Sequence, residues 1–258
     1  MLLRDDSNGI PKYIQLAKIL KDQILAGVFR DDEQIPTEQS LCERYQVSRI
    51  TVRQAINTLA QEKLLYREQG RGTFVQPKKL KRDITKVYNF TDDMIHLGLK
   101  PSSRLLEQEV IEAEPSLAEK LQLPADQRRV LKLLRLREAN GIPVLCETTL
   151  IPYFLCPGLE REDLQTGSLY HLLAERFNLL PHHAEETYEA VIMPENSARL
   201  LQCKSVKCQP ALSIHRIAFL DNGVPMECTT SIGRADRLTL SVQMVAENSM
   251  LKRNIDLK

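Results

Sequence analysis

The sequence predicts an α+β protein in two parts: a helical N-terminal domain closed by a short hairpin, then a larger antiparallel-sheet domain that carries helices. Three observations predict it. Apolar residues recur at helical spacing up to about residue 63, and beyond that in short alternating runs bounded by turn residues. Two Asn-Gly turn signals, at Asn140 and Asn222, lie in segments that align at a constant offset of 82 residues. Charge is divided along the chain as well: residues 1–82 hold 15 Lys or Arg against 10 Asp or Glu, net +5, and the rest hold 20 against 24, net −4.

A length of 258 residues and a hydrophobic content of 43% suffice for two packed cores. The expected boundaries are 8–76 for the first domain, 77–85 for a linker and 86–248 for the second. Charged residues begin at Arg4, Asp5 and Asp6, and no apolar run approaches the roughly 20 residues a bilayer demands. A cytoplasmic protein with no membrane partner is expected. The six cysteines (Cys42, Cys146, Cys156, Cys203, Cys208, Cys228) form no Cys-x-x-Cys pair, so they read as reduced thiols, with no metal site and no cofactor. His182 and His183 read as surface residues of a turn after Pro181.

Residues 11–29 form the first predicted helix, with Ile14, Leu16, Ala17, Ile19, Leu20, Ile24 and Leu25 near helical spacing and Gly27 ending it. Thr37 caps a second helix whose stripe is Leu41, Cys42 and Tyr45; Gln46-Val47 makes a tight turn. Ser48 caps a third, running to about residue 63, with Ile50, Val52, Ala55, Ile56 and Leu59 inward and Arg49, Thr51, Arg53, Gln54 and Asn57 outside. This is a helix-turn-helix, and its exposed residue types are those that hydrogen-bond base edges and phosphates. Residues 64–67 and 73–75 then form a hairpin around Glu68-Gln69-Gly70-Arg71-Gly72, a wing that can lay Arg71 into a minor groove or along a backbone. The basic balance of this part fits a polyanionic partner.

The runs Ile35-Pro-Thr-Glu-Gln-Ser-Leu, Val47-Ser-Arg-Ile-Thr-Val-Arg-Gln-Ala-Ile and Gly70-Arg-Gly-Thr-Phe-Val resemble the GntR family of bacterial winged helix-turn-helix regulators over residues 11–76. The resemblance implies operator contacts, in double-stranded DNA, from Thr37, Gln39, Ser48, Arg49, Thr51, Arg53, Gln69, Gly70 and Arg71. Some relatives carry arginine where this chain has Gln39.

The basic stretch holding Lys78, Lys79, Lys81 and Arg82 reads as the linker, either a solvated tether or a contributor of phosphate contacts. Beyond it the pattern predicts strands at 105–112, 129–138, 142–151 and 184–193, and helices at 116–121, 168–177 and 195–201. The repeated hairpins argue for one antiparallel sheet with pseudo-twofold character. Arg135 and Arg137 alternate with Leu134 and Leu136, so both guanidiniums leave one face of a strand. There they form either an anion fork or structural ion pairs with Glu147 or Glu189.

The pieces Tyr88-Asn-Phe-Thr-Asp-Asp-Met, Leu134-Arg-Leu-Arg, Asn140-Gly-Ile-Pro-Val-Leu-Cys-Glu, Ser168-Leu-Tyr-His-Leu-Leu and Asn222-Gly-Val-Pro-Met-Glu, with Gly233-Arg-Ala-Asp-Arg, resemble the UTRA domain of the HutC branch over about residues 84–245. That resemblance implies a chorismate lyase-like fold and an effector site. An anion would be held by Thr91 in the Phe-Thr-Asp-Asp loop, Arg135, Arg137 and Ser168, with Glu147, Tyr170, Glu227 and Arg234 at the polar end.

The expected protein is a homodimeric repressor released from its operator by a small anionic metabolite, with phosphorylated amino sugars the leading class. The alternatives are an activator or a DNA-binding protein without an effector. Catalysis is not expected, because no nucleophile–base set, metal cluster or phosphate loop is visible.

Overall fold

The computed structural model describes residues 9–77, 79–87, 89–164, 167–203 and 209–243. Lys78, Tyr88, Cys208 and residues 244–248, which the sequence reading placed in the linker, a motif, a thiol set and the end of the second domain, lie outside them. The chain divides into two units, 1–78 and 79–258.

In the first unit, α1 (Lys12–Leu25) buries Leu16, Ala17, Leu20 and Ile24. It is shorter than the expected 11–29, because the chain turns at Ala26 and Gly27 has a φ of 74°. The α2 helix (Glu38–Tyr45) is capped by the Thr37 hydroxyl, which accepts from the Ser40 amide at 3.2 Å, and it ends at Gln46 in the left-handed region. The α3 helix (Arg49–Gln61) is capped by Ser48 and buries Val52, Ala55, Ile56 and Leu59 against α1 and α2. Ile50, expected inward, is 70% exposed. At about 100° per residue it falls opposite the stripe formed by those four. The hairpin β1 (Leu65–Glu68) and β2 (Gly72–Val75) pairs Leu65 with Val75 and Glu68 with Gly72.

The second unit starts with β3 (Leu80–Asp83) and α4 (Phe90–His96). It continues through β4 (Pro101–Glu112), α5 (Pro115–Lys120), β5 (Arg129–Ala139), β6 (Ile142–Pro152) and α6 (Leu169–Phe177). It closes with β7 (His183–Ile192), α7 (Glu195–Leu200), β8 (Pro210–Phe219), β9 (Pro225–Arg234) and β10 (Leu238–Ser241). One antiparallel sheet has the order β4-β5-β6-β9-β8-β7, so a pseudo-twofold axis passes between β6 and β9. It relates β5–β6 to β8–β9, α4 to α6 and α5 to α7, as the repeated hairpins foretold. Asn140 and Gly141, at φ 51° and 75°, make the tight turn that the dipeptide favours. In the second hairpin only Gly223 of the pair has a positive φ, 80°.

Three expectations are corrected. The segment 77–85 is not a plain tether: β3 lies within it and pairs in parallel with β10, Leu80 opposite Leu238 and Asp83 opposite Ser241, with Arg82 buried. Thr91 lies in the first turn of a helix, not in a loop, because the Asn89 side chain caps α4 and Asp92 and Asp93 suit its positive end. His183 opens β7 and stacks on Phe219 at 4.6 Å instead of ending a turn.

The sheet has two different faces. Leu136 packs with Met193, Ala198 and Leu201, under α7. Leu131 and Leu133 face the other way, toward Leu169 and Leu173 of α6, and on that face the strand continues into Arg135 and Arg137.

Candidate functional site

On the α6 face, at the pseudo-twofold axis, the second unit forms a polar pocket open to solvent, whose empty volume of ≈ 320 Å³ includes solvent space at the mouth. The central strands supply the floor: Glu147 and Thr149 from β6, Glu227 and Thr229 from β9. The two threonine hydroxyls meet at 3.1 Å. Arg135 and Arg137 of β5 and Arg216 of β8 stand on its flanks, and the capped ends of α4 and α6 close it with Asn89, Phe90, Ser168 and Tyr170.

The polar partners are specific. The Arg135 Nη2 donates to Glu147 Oε1 at 2.5 Å, so one of the ion pairs weighed from the sequence is present. Arg137 lies over the Phe90 ring, 4.5 Å from its centroid, and donates to the Thr91 hydroxyl at 3.4 Å. Arg216 donates through Nε to Glu186 at 2.7 Å and through Nη1 to the Tyr170 hydroxyl at 3.1 Å, and Tyr170 donates to Glu227 at 2.5 Å. Glu186 also receives Arg82 of β3 at 2.5 Å. At the mouth, Ser168 Oγ donates to Asn89 Oδ1 at 3.3 Å and His171 of α6 lies 3.4 Å from Asp92 of α4.

Three guanidiniums against two carboxylates leave this lining positive. Burial pushes the Glu147 carboxyl up, but Arg135, Arg137 and Arg216 outweigh it and hold the group below the ordinary glutamate value. Burial also pushes Glu227 up, and there the facing Arg216 does not overcome it. Burial, reinforced by Glu227, raises the Tyr170 hydroxyl well above its usual value, so it stays a donor.

Six of the eight expected effector residues line this cavity: Arg135, Arg137, Glu147, Ser168, Tyr170 and Glu227. Thr91 is one hydrogen bond behind Arg137. Arg234 is not among the lining residues; it forms a two-pronged pair with Asp236 at 3.0 and 2.6 Å and donates to the Leu201 carbonyl at 3.2 Å. Sequence reasoning missed Asn89, Phe90, Thr149, Leu169, Arg216 and Thr229. The internal repeat held a signal for Arg216. It interrupts the apolar face of Ile214 and Ala218 on β8, the strand equivalent to β5.

The first unit gathers the expected DNA-contacting residues on the ends of α2 and α3 and on the β1–β2 turn. Thr37, Gln39, Ser48, Arg49, Arg53, Gln69, Gly70 and Arg71 are exposed and Thr51 is half-buried. The Ser48 oxygen accepts from the Thr51 amide at 3.2 Å. Glu38 of α2 holds Arg53 Nε at 2.8 Å, and Gln39 donates to Glu43 at 3.1 Å. At the turn, Arg71 pairs with Glu68 and lies 5.7 Å from the centre of the Phe74 ring, and its carbonyl accepts from Gln34 at 2.9 Å. Gly70 there has a φ of 73°, a conformation glycine adopts freely.

Among the described residues no group of three or more His, Cys, Asp or Glu is placed to hold a metal ion, and no helix is long and apolar enough to cross a membrane.

Residues 12–75 match the bacterial regulatory proteins of the gntR family, and residues 96–239 match the UTRA domain. The HTH-type transcriptional repressor NagR of Bacillus subtilis (strain 168) is 36% identical over 231 residues, covering 89% of this chain and 93% of NagR. The mannosyl-D-glycerate transport/metabolism system repressor MngR of Escherichia coli (strain K12) is 30% identical over 235 residues, covering 90% of this chain and 96% of MngR. Among solved structures, PhnF from Mycobacterium smegmatis superposes with a TM-score of 0.66 at 26% identity, covering 90% of this chain and 100% of that one. The two matched segments fall in the two structural units and the relatives align along nearly the whole chain, so this chain belongs to the GntR family of bacterial regulatory proteins, in its UTRA-bearing HutC branch.

Proposed function

We propose that this regulator is a homodimeric repressor that leaves its operator when the cavity at the sheet axis takes up a small anion, with a phosphorylated amino sugar as the leading class. The observation that carries the ligand reading is the convergence of Arg135, Arg137 and the N-terminal end of α6 on one net-positive pocket. Glu227 and Tyr170, on the opposite flank, suit hydroxyl or amide groups of the same molecule. The name of MngR, a repressor of a mannosyl-D-glycerate system, supports a sugar-derived effector. Two copies are invoked because one small winged domain discriminates too little alone.

The DNA contacts in this reading come from Thr37, Gln39, Ser48, Arg49, Thr51, Arg53, Gln69, Gly70 and Arg71. The part-buried chain Arg216–Glu186–Arg82 connects the cavity wall to β3, the first strand after the DNA-binding unit. A ligand that shifts Arg216, or moves α4 through Arg137 and Thr91, then biases β3. Release follows only if the ligand favours the arrangement with low operator affinity.

The test is a thermal-shift screen of the full chain against amino-sugar phosphates, other sugar phosphates, amino acids and organic acids. At a concentration of 100 Kd a true ligand adds about 2.7 kcal/mol, or roughly 5–10 °C for a domain of this size. Arg137→Ala is expected to abolish the shift. It is a cleaner variant than Arg135→Ala, which would strand the buried Glu147 charge. No shift with any anion, or an undiminished one in Arg137→Ala, overturns the reading. A second reading, a DNA-binding protein without an effector, is favoured by the Arg135–Glu147 pair, which already neutralises one guanidinium.

A further inference from the structure

Ile50 is the most exposed large hydrophobic side chain among the described residues, at 70%. It is the second residue of α3, between Arg49 and Thr51. With 100° per residue and the buried stripe at Val52, Ala55, Ile56 and Leu59, the outward meridian of α3 passes through Ile50, Gln54 and Asn57, with Arg53 beside it. The residue therefore stands at the middle of the helix's outer face, one turn ahead of side chains that can hydrogen-bond base edges. Nothing in the unit's core needs it there: the apolar cluster of α1, α2, α3 and the hairpin is complete without it.

An apolar side chain held in water at the N-terminal turn of a helix flanked by arginines calls for a partner that is apolar at one point and anionic around it. Duplex DNA has that character in its major groove, where thymine presents a 5-methyl group between phosphate-lined walls. The net charge of +5 over residues 1–82 suits the same partner. We infer that Ile50 reads thymine, packing its side chain on the 5-methyl group of one thymine in each half-site. This rests on the reading that α3 enters the major groove, and it adds an apolar specificity contact to the polar ones expected there.

The test uses the full-length protein and duplexes that it enriches from a random-sequence pool. The best duplex is resynthesised with deoxyuridine replacing thymine at one position at a time, which deletes only the methyl group. Wild-type protein is expected to lose about fourfold in affinity at one thymine of each half-site, the value of about one buried methyl-sized group. Ile50→Ala is expected to bind the thymine and uracil duplexes alike at that position, with an unchanged melting temperature, since the side chain lies outside the core. If every thymine-to-uracil change affects the wild type and Ile50→Ala equally while Arg53→Ala still binds more weakly, Ile50 does not read thymine although α3 is in the groove. If both Ile50→Ala and Arg53→Ala bind like the wild type, the placement of α3 fails and takes this inference with it.

Discussion

Glu147 and Glu227 lie on adjacent central strands, line one cavity and are both buried, yet they are driven in opposite directions. Glu147 faces Arg135 at 2.5 Å with Arg137 and Arg216 behind it, so its charge is repaid. Glu227 has Arg216 at 3.7 Å and the Tyr170 hydroxyl, which do not offset its burial. The consequences for stability have opposite signs. A depressed carboxyl stabilises the fold above its unfolded value, near 4.5, and that contribution is lost as pH falls through the lower folded value. A raised carboxyl favours the fold at low pH, and that advantage is lost as pH rises from 4.5 through the higher folded value. Glu227→Gln is therefore expected to gain stability relative to the wild type as pH rises above about 4.5, while Glu147→Gln loses about 3–5 kcal/mol at pH 7 by stranding buried guanidinium charge. Urea melts across pH check both; a Glu227→Gln deficit that grows with pH would contradict the assignment. At this scale the sequence was partly legible. Strand alternation exposes Arg135 and Arg137 as a pair on one face. Arg234 misleads because Asp236, two residues on, satisfies it through a geometry set by the end of β9 and invisible to spacing. Ile50 misleads because a hydrophobic letter in a helix is read as core unless its angle to the stripe is worked out.

At the scale of elements, the informative one is β3. Its Lys and Arg content hides a strand, since the partner that makes it one, β10, lies 158 residues away in sequence and pairs in parallel. Local propensity cannot report a pairing of that range, whereas the hairpins β5–β6 and β8–β9 are signalled by their own turns. Arg82 on β3 is 4% exposed and shares Glu186 with Arg216, so β3 is tied to the cavity wall by charge as well as by its ladder. Arg82→Ala is expected to cost about 1–3 kcal/mol of stability by removing a buried charge-assisted bond. Ligand affinity should stay within a few-fold, because Arg216 keeps Glu186, Tyr170 and Glu227. In the proposed mechanism the same variant stays on its operator at saturating ligand. Anisotropy of labelled operator, run beside a ligand titration, separates these effects; release as complete as in the wild type would remove β3 from the path.

For the whole molecule, the apolar cores are divided between the two units. One comprises residues of α1, α2, α3 and the hairpin, and the others lie on the two faces of the six-stranded sheet. This division was legible early, because a basic first third gives way to an acidic remainder and helical periodicity gives way to short alternating runs bounded by turn residues. Which side chains converge was less so, since the cavity is made where two repeat halves meet and neither half alone contains it. A regulator built this way must transmit by free-energy coupling, and coupling between two binding equilibria is reciprocal. If the effector lowers operator affinity by a factor between about 5 and 150, saturating operator must lower effector affinity by the same factor. Calorimetric titration of effector into the free protein and into its operator complex, at one salt concentration, measures that factor directly. Reciprocity holds for any coupling mechanism, so a loss of affinity by the same factor in both titrations shows that the two sites are linked. An effector that binds free and operator-bound protein with the same affinity would leave the cavity without a regulatory role, whatever fills it.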